Sequence, residues 1–164
     1  MPNFKRSSAL AMACGVAIVL ASASLAFAAE TTRIEYKAAV EPICQANSQA
    51  NERILKGVRQ EVKQGELKPA SVKFAKAAKA LKQANVQLKA VPQPAADAAK
   101  LTKWLSYVKT EGELFESASK ALKANDKNKA ESYVVKLEHN ARLANNEVLA
   151  FGFHYCKFEP SKFT

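Results

Sequence analysis

Apolar residues recur at helical spacing along nearly the whole chain, and this pattern constrains the fold more than any other feature. Alanine, lysine, leucine and glutamate, all good helix formers, fill the stretches between glycine and proline breakers. The breakers separate four amphipathic segments at residues 32–64, 69–91, 95–124 and 128–151, with no strand pattern between them. Four such segments joined by short loops predict an all-α, up-down-up-down four-helix bundle.

Local signals predict where the helices begin. Thr32 and Glu35 have the spacing of a capping box, in which each side chain bonds to the other residue's backbone N–H. Asn128 and Glu131 have the same spacing and predict the start of the fourth helix. Pro42 falls within the first segment, and we expect it to divide this segment, with the main helix restarting at the proline.

The first 28 residues have the pattern of a secretory signal peptide. A basic start precedes an uncharged apolar run at residues 9–20, and Ala26-Phe27-Ala28 is typical of a cleavage site. We therefore predict cleavage near Ala28 and a secreted or extracytoplasmic protein. The alternatives are an uncleaved membrane anchor and a lipoprotein attached through Cys14, which the poor lipobox before that cysteine disfavours.

We predict that the mature chain is a single domain, because ~100–200 residues is the usual size of one. The bundle is expected at residues 29–156 and a C-terminal tail at residues 157–164. Cleavage leaves 23 basic and 15 acidic residues, so the formal charge falls from +10 to +8. No later stretch approaches the ~18 apolar residues of a membrane span, so none is expected in the mature chain.

Cys44 and Cys156 are the cysteines that remain after cleavage, and in an oxidising compartment they predict a disulfide. An up-down-up-down bundle brings the end of the fourth helix beside the start of the first, which agrees with this pairing. Metal binding is the rival interpretation. It needs two further ligands, for which only His139 and His154 are available, and we predict no metal site.

The second segment carries a lysine face without any acidic residue. Residues 67–96 contain no acid, and six lysines lie opposite the apolar stripe. Several lysines on one rigid face attract anions, so we predict binding to an anionic wall polymer, a glycan or lipid headgroups. The face has no arginine or exposed aromatic residue, so specific nucleic-acid binding is not expected. The alternative is a solvated face that keeps the protein soluble. The lysines are Lys68, Lys73, Lys76, Lys79, Lys82 and Lys89.

Polar residues interrupt the apolar stripe of the first segment. Asn47 and Asn51 lie one helical turn apart in the middle of it, and counting from the shared end places them level with Asn85, Trp104 and Ala144. The indole N–H of Trp104 is expected to donate to an asparagine oxygen. One interpretation is a small-ligand pocket lined by Asn47, Asn51, Asn85 and Trp104. The other is a structural network that fixes helix register.

Catalytic and cofactor patterns are missing from the sequence. There is no Ser-His-Asp order, metal motif or glycine-rich phosphate loop, and capping explains Asp97 and Asp126 at predicted helix starts. The architecture is similar to exported four-helix cytochromes, with residues 118–138 comparable, which implies haem. However, the chain lacks a C-x-x-C-H motif and a mature methionine. We therefore predict neither an enzyme nor a cofactor.

A second likeness involves Tyr36 and Cys44 early in the first helix, a proline-rich loop at residues 91–96, Gly152-Phe153, and a final Cys156. In these features the chain resembles small exported two-cysteine α-helical bundle proteins of high-GC Gram-positive bacteria, a group without an assigned function. The resemblance implies export and a helical fold.

Together these features predict an exported, non-enzymatic helical-bundle protein that binds an anionic envelope component through its basic helix. A first alternative is a carrier or sensor that holds a small ligand in the polar layer. A second is a structural or protein-interaction module, for which the back of the fourth helix, at Val135, Leu143 and Ala150, is the place to look.

Overall fold

The computed structural model describes residues 30–159, and this part of the chain is all-helical and closed by a disulfide, as predicted. The predicted signal peptide lies outside the described residues, as does the end of the predicted tail. The helices are α1 (Arg33–Leu55), α2 (Val58–Lys63), α3 (Leu67–Ala90), α4 (Ala98–Lys123) and α5 (Lys127–Glu147). Short 3₁₀ turns at Ala95–Asp97 and Leu149–Phe151 precede α4 and follow α5.

Helix α1 is continuous through Pro42, so the predicted restart at this residue is wrong. The proline is exposed, whereas Val40 and Cys44 on either side of it are buried. A proline inside a helix costs about 3 kcal/mol, and we infer that the apolar burial on both sides outweighs it. The helix ends later, where Gly57 adopts a left-handed φ of 79° and separates α1 from α2.

The two predicted capping boxes have different outcomes. At the start of α1, the Thr32 hydroxyl accepts from the Glu35 N–H at 3.2 Å and the Glu35 carboxylate accepts from the Thr32 N–H at 2.8 Å. At the start of α5, the predicted box at Asn128 is wrong, because Asn128 already lies within the helix. The cap is Asp126, whose side chain accepts from the Lys129 N–H at 2.9 Å.

Replacing Asp126 with alanine is expected to lower the free energy of unfolding by about 1 kcal/mol, because the Lys129 N–H loses its acceptor. Asn128→Ala, two residues away and inside the helix, is the matched control and should change stability by less than about 0.5 kcal/mol. Urea denaturation followed by circular dichroism measures both values. Equal losses for the two variants would contradict the assignment of the cap.

The long helices pack in chain order, α1 against α3, α3 against α4 and α4 against α5. Gly112 lies where α3 and α4 approach: a Cβ atom at this position would stand 3.3 Å from Lys82 Cγ and 3.8 Å from the Ala78 carbonyl oxygen. Helices α1 and α5 have little direct contact. The segment after α5, residues 152–159, bonds to both of them, and we call it the C-terminal strap.

An ion pair ties the start of α1 to the turn before α4. The Arg33 guanidinium donates to both carboxylate oxygens of Asp97, at 2.9 and 2.6 Å, and lies 4.8 Å from the ring centre of Phe151. These hydrogen bonds from Arg33 lower the pKa of Asp97. Asp97 is the N-cap residue of α4, at the predicted helix start, but its side chain bonds to Arg33 and to no N–H of α4.

Candidate functional site

A cavity of about 60 Å³ lies among the four long helices, beneath the C-terminal strap. A volume of this size holds about two water molecules, or about two or three non-hydrogen atoms of a ligand. Exposed strap residues are part of its wall, so the cavity borders the surface on that side. The helices contribute Cys44, Asn47, Ser48 and Asn51 from α1, Leu81, Ala84 and Leu88 from α3, Trp104, Val108 and Glu111 from α4, and Ala144 and Asn145 from α5.

Two buried oxygens in the wall of this cavity have no hydrogen-bond partner in the described part of the chain. They are Glu111 Oε1 and Asn51 Oδ1, and each of these residues is only 1% exposed. A buried polar group without a partner costs about 1–3 kcal/mol. A ligand that donates hydrogen bonds to these two atoms would therefore recover free energy that the fold alone leaves unused.

Glu111 is an ionisable residue buried in the protein interior. Burial raises the pKa of its carboxyl group well above the usual range, because desolvation penalises the ionised form. No other residue that α1, α3, α4 or α5 contributes to the cavity wall is ionisable. The strap contributes Tyr155, Lys157 and Glu159, which are all exposed.

The structure brings three of the four residues of the predicted polar layer to this cavity. Asn47, Asn51 and Trp104 line it, together with Ala144, whereas Asn85 is buried on α3 and is not part of the wall. The amide of Asn51 donates to Asn47 Oδ1 at 3.5 Å. The expected hydrogen bond from the Trp104 indole to Asn51 is not formed, because the Asn51 oxygen has no donor.

Sequence reasoning missed Glu111, although a signal for it exists. Glu111 follows Val108 by three residues and precedes Phe115 by four, so it falls on the apolar stripe of α4. An acidic residue on an apolar stripe indicates a buried carboxyl group, just as Asn51 on the apolar stripe of α1 indicates a buried amide.

The C-terminal strap is held over the cavity by a disulfide and by hydrogen bonds to both neighbouring helices. Cys156 is joined to Cys44 of α1, which confirms the predicted pair. The Glu41 carboxylate, also on α1, accepts from the backbone N–H groups of His154 and Tyr155. On the α5 side, the Asn145 amide both accepts from the N–H and donates to the carbonyl of Phe158, each at 2.9 Å.

Aromatic contacts link the strap to α4 and, through Phe151, to α1. Phe153 lies 5.6 Å from Trp104 and 5.3 Å from Phe151, and Phe151 lies 6.4 Å from Tyr36, all measured between ring centres. Trp104, Phe153 and Tyr36 are almost completely buried. This series of ring contacts packs the strap against Trp104 in the cavity wall. The Tyr36 hydroxyl and Asn85 Oδ1 are also buried without partners, but neither residue lines the cavity.

The predicted lysine face lies on α3, and neighbouring acids neutralise part of it. Lys73 pairs with Glu61 of α2, and Lys82 pairs with Glu116 of α4. Hydrogen bonds from Lys120 and Lys82 lower the pKa of Glu116 to about 2. Within residues 30–159, no ion pair involves the four remaining lysines, which are exposed. They are Lys68, Lys76, Lys79 and Lys89.

The back of α5 offers little apolar surface for a protein partner. Val135 is 64% exposed, whereas Leu143 is half-buried, and Ala150 lies beyond α5 in the 3₁₀ turn and contributes only a methyl group. Isolated apolar side chains of this kind are common on protein surfaces.

No helix within residues 30–159 is both long and apolar enough to cross a bilayer. In the same range, histidine, cysteine, aspartate and glutamate side chains form no group of three that would hold a metal ion. Comparisons with protein-family models, curated proteins and solved structures found no match to this chain.

Proposed function

We propose that this protein is an exported, non-enzymatic carrier or sensor that holds a small ligand inside an up-down-up-down four-helix bundle. The observation that carries the proposal is the pair of unpaired buried oxygens, Glu111 Oε1 and Asn51 Oδ1, in the wall of one cavity. Helix packing in chain order and the short connections after α3 and α4 support the up-down topology.

A purely structural polar network is the competing interpretation, and the hydrogen bonds argue against it. In a structural polar network, the buried polar groups satisfy one another's hydrogen bonds. Asn145 does so, with two hydrogen bonds to Phe158, and Asn140 donates to the Tyr107 carbonyl at 2.9 Å. Asn51 and Glu111 instead leave oxygens unsatisfied, and both residues line the cavity, so they suit recognition better than helix register.

Trp104 provides a direct probe of the cavity, because it lines the wall and is the chain's single tryptophan. A panel of small amines, alcohols, amides and carboxylates is titrated into the mature protein while tryptophan emission is recorded. We expect at least one class to change the emission saturably, with one molecule bound per chain.

Ala144→Leu is the control for this titration. Ala144 lines the cavity and is 2% exposed, so the three added carbon atoms occupy the space that the ligand needs. The variant should keep the helical circular dichroism of the parent protein and lose the saturable change. If no member of the panel affects the parent protein differently from Ala144→Leu, the proposed ligand site is wrong.

Export is part of the proposal and has two supports. The pattern of the first 28 residues is that of a secretory signal peptide. The Cys44–Cys156 disulfide is typical of proteins that fold in an oxidising compartment. A mature N-terminus near residue 29, read by mass spectrometry of the extracellular or envelope fraction, is the expected result. An intact leader on all of the protein would contradict it.

The four unpaired lysines of α3 favour a second candidate function, attachment to an anionic envelope component. Residues 67–96 contain no acid, so the fields of Lys68, Lys76, Lys79 and Lys89 add over one helix face. Wall polymers, glycans and lipid headgroups are all suitable polyanions. Attachment and ligand binding are compatible, because the lysines lie outside the cavity wall.

The lysine face is tested by retention on a heparin column. Changing its four unpaired lysines to glutamine is expected to lower the salt concentration for elution clearly more than removing four basic residues elsewhere, because a single face sums its charges. The matched control replaces Lys63, Lys123, Lys129 and Arg142, which are exposed and lie outside α3. If both variants elute at the same salt concentration, net charge alone explains the retention and a binding face is excluded.

A further inference from the structure

We propose that the ligand of the cavity is a small primary amine, bound as its ammonium ion between Glu111, Asn51 and the ring of Trp104. This inference rests on the proposed ligand-binding function and deepens it, by assigning a chemical class to the ligand and a role to each of these three side chains.

The unpaired atoms of the cavity wall favour a ligand that donates hydrogen bonds. The two unpaired buried atoms are both oxygens, one from a carboxyl group and one from an amide. A primary ammonium group carries three N–H donors and no acceptor, so it has enough donors for both oxygens. A hydroxyl group has one donor and satisfies only one of them, and a carboxylate has none to offer.

The charge of the wall also selects a cation. Glu111 is 1% exposed, and the helices contribute no basic residue to the cavity that would pair with it. A buried carboxylate is tolerated when a counter-charge is buried with it and hydrogen-bonded to it. An ammonium ligand supplies that counter-charge and favours the ionised carboxylate, whereas an anionic ligand supplies none and adds its own cost of desolvation beside Glu111.

Trp104 adds a second feature that suits a cation. A positive charge against an indole face is stabilised by about 0.5–2 kcal/mol, with the larger values in desolvated sites. Trp104 is 1% exposed, and its contact with Phe153 fixes it in the cavity wall. Glu111, Asn51 and Trp104 therefore give the helix side of the cavity groups that suit a cation, while Lys157 and Glu159 of the strap are exposed at its surface side.

The size of the space and its apolar walls limit the rest of the ligand. The cavity measures about 60 Å³, which accommodates about two or three non-hydrogen atoms. Leu81, Leu88 and Val108 supply apolar parts of its wall. An ammonium group with one or two carbons fits this volume, and the end of a three-carbon chain extends to the side where the cavity borders the surface.

The experiment compares three probes of nearly equal size at constant ionic strength: propylammonium, 1-propanol and propanoate. Binding is followed by Trp104 emission and by isothermal titration calorimetry near pH 7.5. We expect propylammonium to bind at least about tenfold more tightly than 1-propanol, because its hydrogen bonds are charge-assisted. Propanoate should not bind. Tighter binding of 1-propanol or propanoate than of propylammonium would overturn the amine assignment.

Glu111→Gln is the decisive variant, because glutamine keeps the size and one oxygen of the side chain and removes its charge. It should lose about tenfold or more of the propylammonium affinity and keep the affinity for 1-propanol within about twofold. Unchanged propylammonium affinity in the variant would overturn the proposal. Its circular dichroism and unfolding curve show that it folds.

The outcomes separate this inference from the function on which it rests. If 1-propanol binds and the Ala144→Leu variant abolishes its binding, the cavity is a ligand site even where the amine assignment fails. If no probe binds to the parent protein and none distinguishes it from Ala144→Leu, the ligand-binding function and the amine inference fail together.

Discussion

Replacing Cys44 and Cys156 together with alanine is expected to lower the free energy of unfolding by about 4–5 kcal/mol. The disulfide closes a loop between residues 112 apart in the sequence, and in the chain-entropy model a loop of that length restricts the unfolded chain by about this amount. Typical small domains have only about 5–15 kcal/mol in total. The double variant is therefore expected to be close to unfolding at physiological temperature.

The loss is measured by urea denaturation of the oxidised protein and the double variant, with the reduced protein as a second comparison. Reduced protein and double variant should agree within about 1 kcal/mol, because both lack the cross-link. A loss below about 1 kcal/mol in both would show that the hydrogen bonds of Glu41 and Asn145 hold the strap without the disulfide.

The second large effect concerns the pH dependence of stability, which Glu111 should dominate. Burial raises the pKa of Glu111 in the folded protein above its value in the unfolded chain. The folded state thus keeps a proton that the unfolded state releases above about pH 4.3. Stability is complete below that pH and is lost as the pH rises towards the folded pKa, by about 1.4 kcal/mol per pH unit.

Glu111→Gln should remove this decline, because glutamine has no proton to release. Urea denaturation of the two proteins at pH 4.5, 6.0 and 7.5 gives the difference in unfolding free energy, in which all the other titrating groups cancel. The variant should become progressively the more stable of the two as the pH rises. Glu113→Gln, which removes an exposed carboxylate from the same helix, is the matched control. A difference that does not change with pH would contradict the buried carboxyl.

Features that depend on neighbouring residues or on redox chemistry were predictable from the sequence. The capping box at Thr32 is a local hydrogen-bond pattern, and the all-helical fold follows from apolar periodicity. The Cys44–Cys156 pair was predictable because only two cysteines follow residue 28. Each of these inferences needs either a few adjacent residues or a count, and no knowledge of tertiary contacts.

The predictions that failed are those for which tertiary contacts outweigh local sequence signals. Pro42 is a strong helix breaker by itself, but the buried neighbours on both sides keep α1 continuous. Asn128 has the spacing of a cap, but the preceding turn places Asp126 in reach of the first free N–H groups. Asp97 bonds to Arg33, 64 residues away, and a distance of that kind is invisible to sequence patterns.

Only part of the candidate site was predictable from the sequence. Asn47, Asn51 and Trp104 were predictable as one layer, because helix periodicity and residue counting fix both face and level. The strap was not, because residues 152–159 have no periodic pattern and are positioned by contacts with Glu41, Asn145 and Cys44. Those contacts hold the strap over the cavity.

NMR of the Glu111 and Asn51 side chains shows whether the cavity that these residues line admits a small ligand. The carboxyl carbon of Glu111 and the amide group of Asn51 are followed while the panel of small amines, alcohols, amides and carboxylates is titrated into the protein. We expect at least one probe to shift both signals saturably at one molecule per chain, and Ala144→Leu to abolish the shifts. Signals that stay unchanged with every probe would rule out a ligand site at these residues.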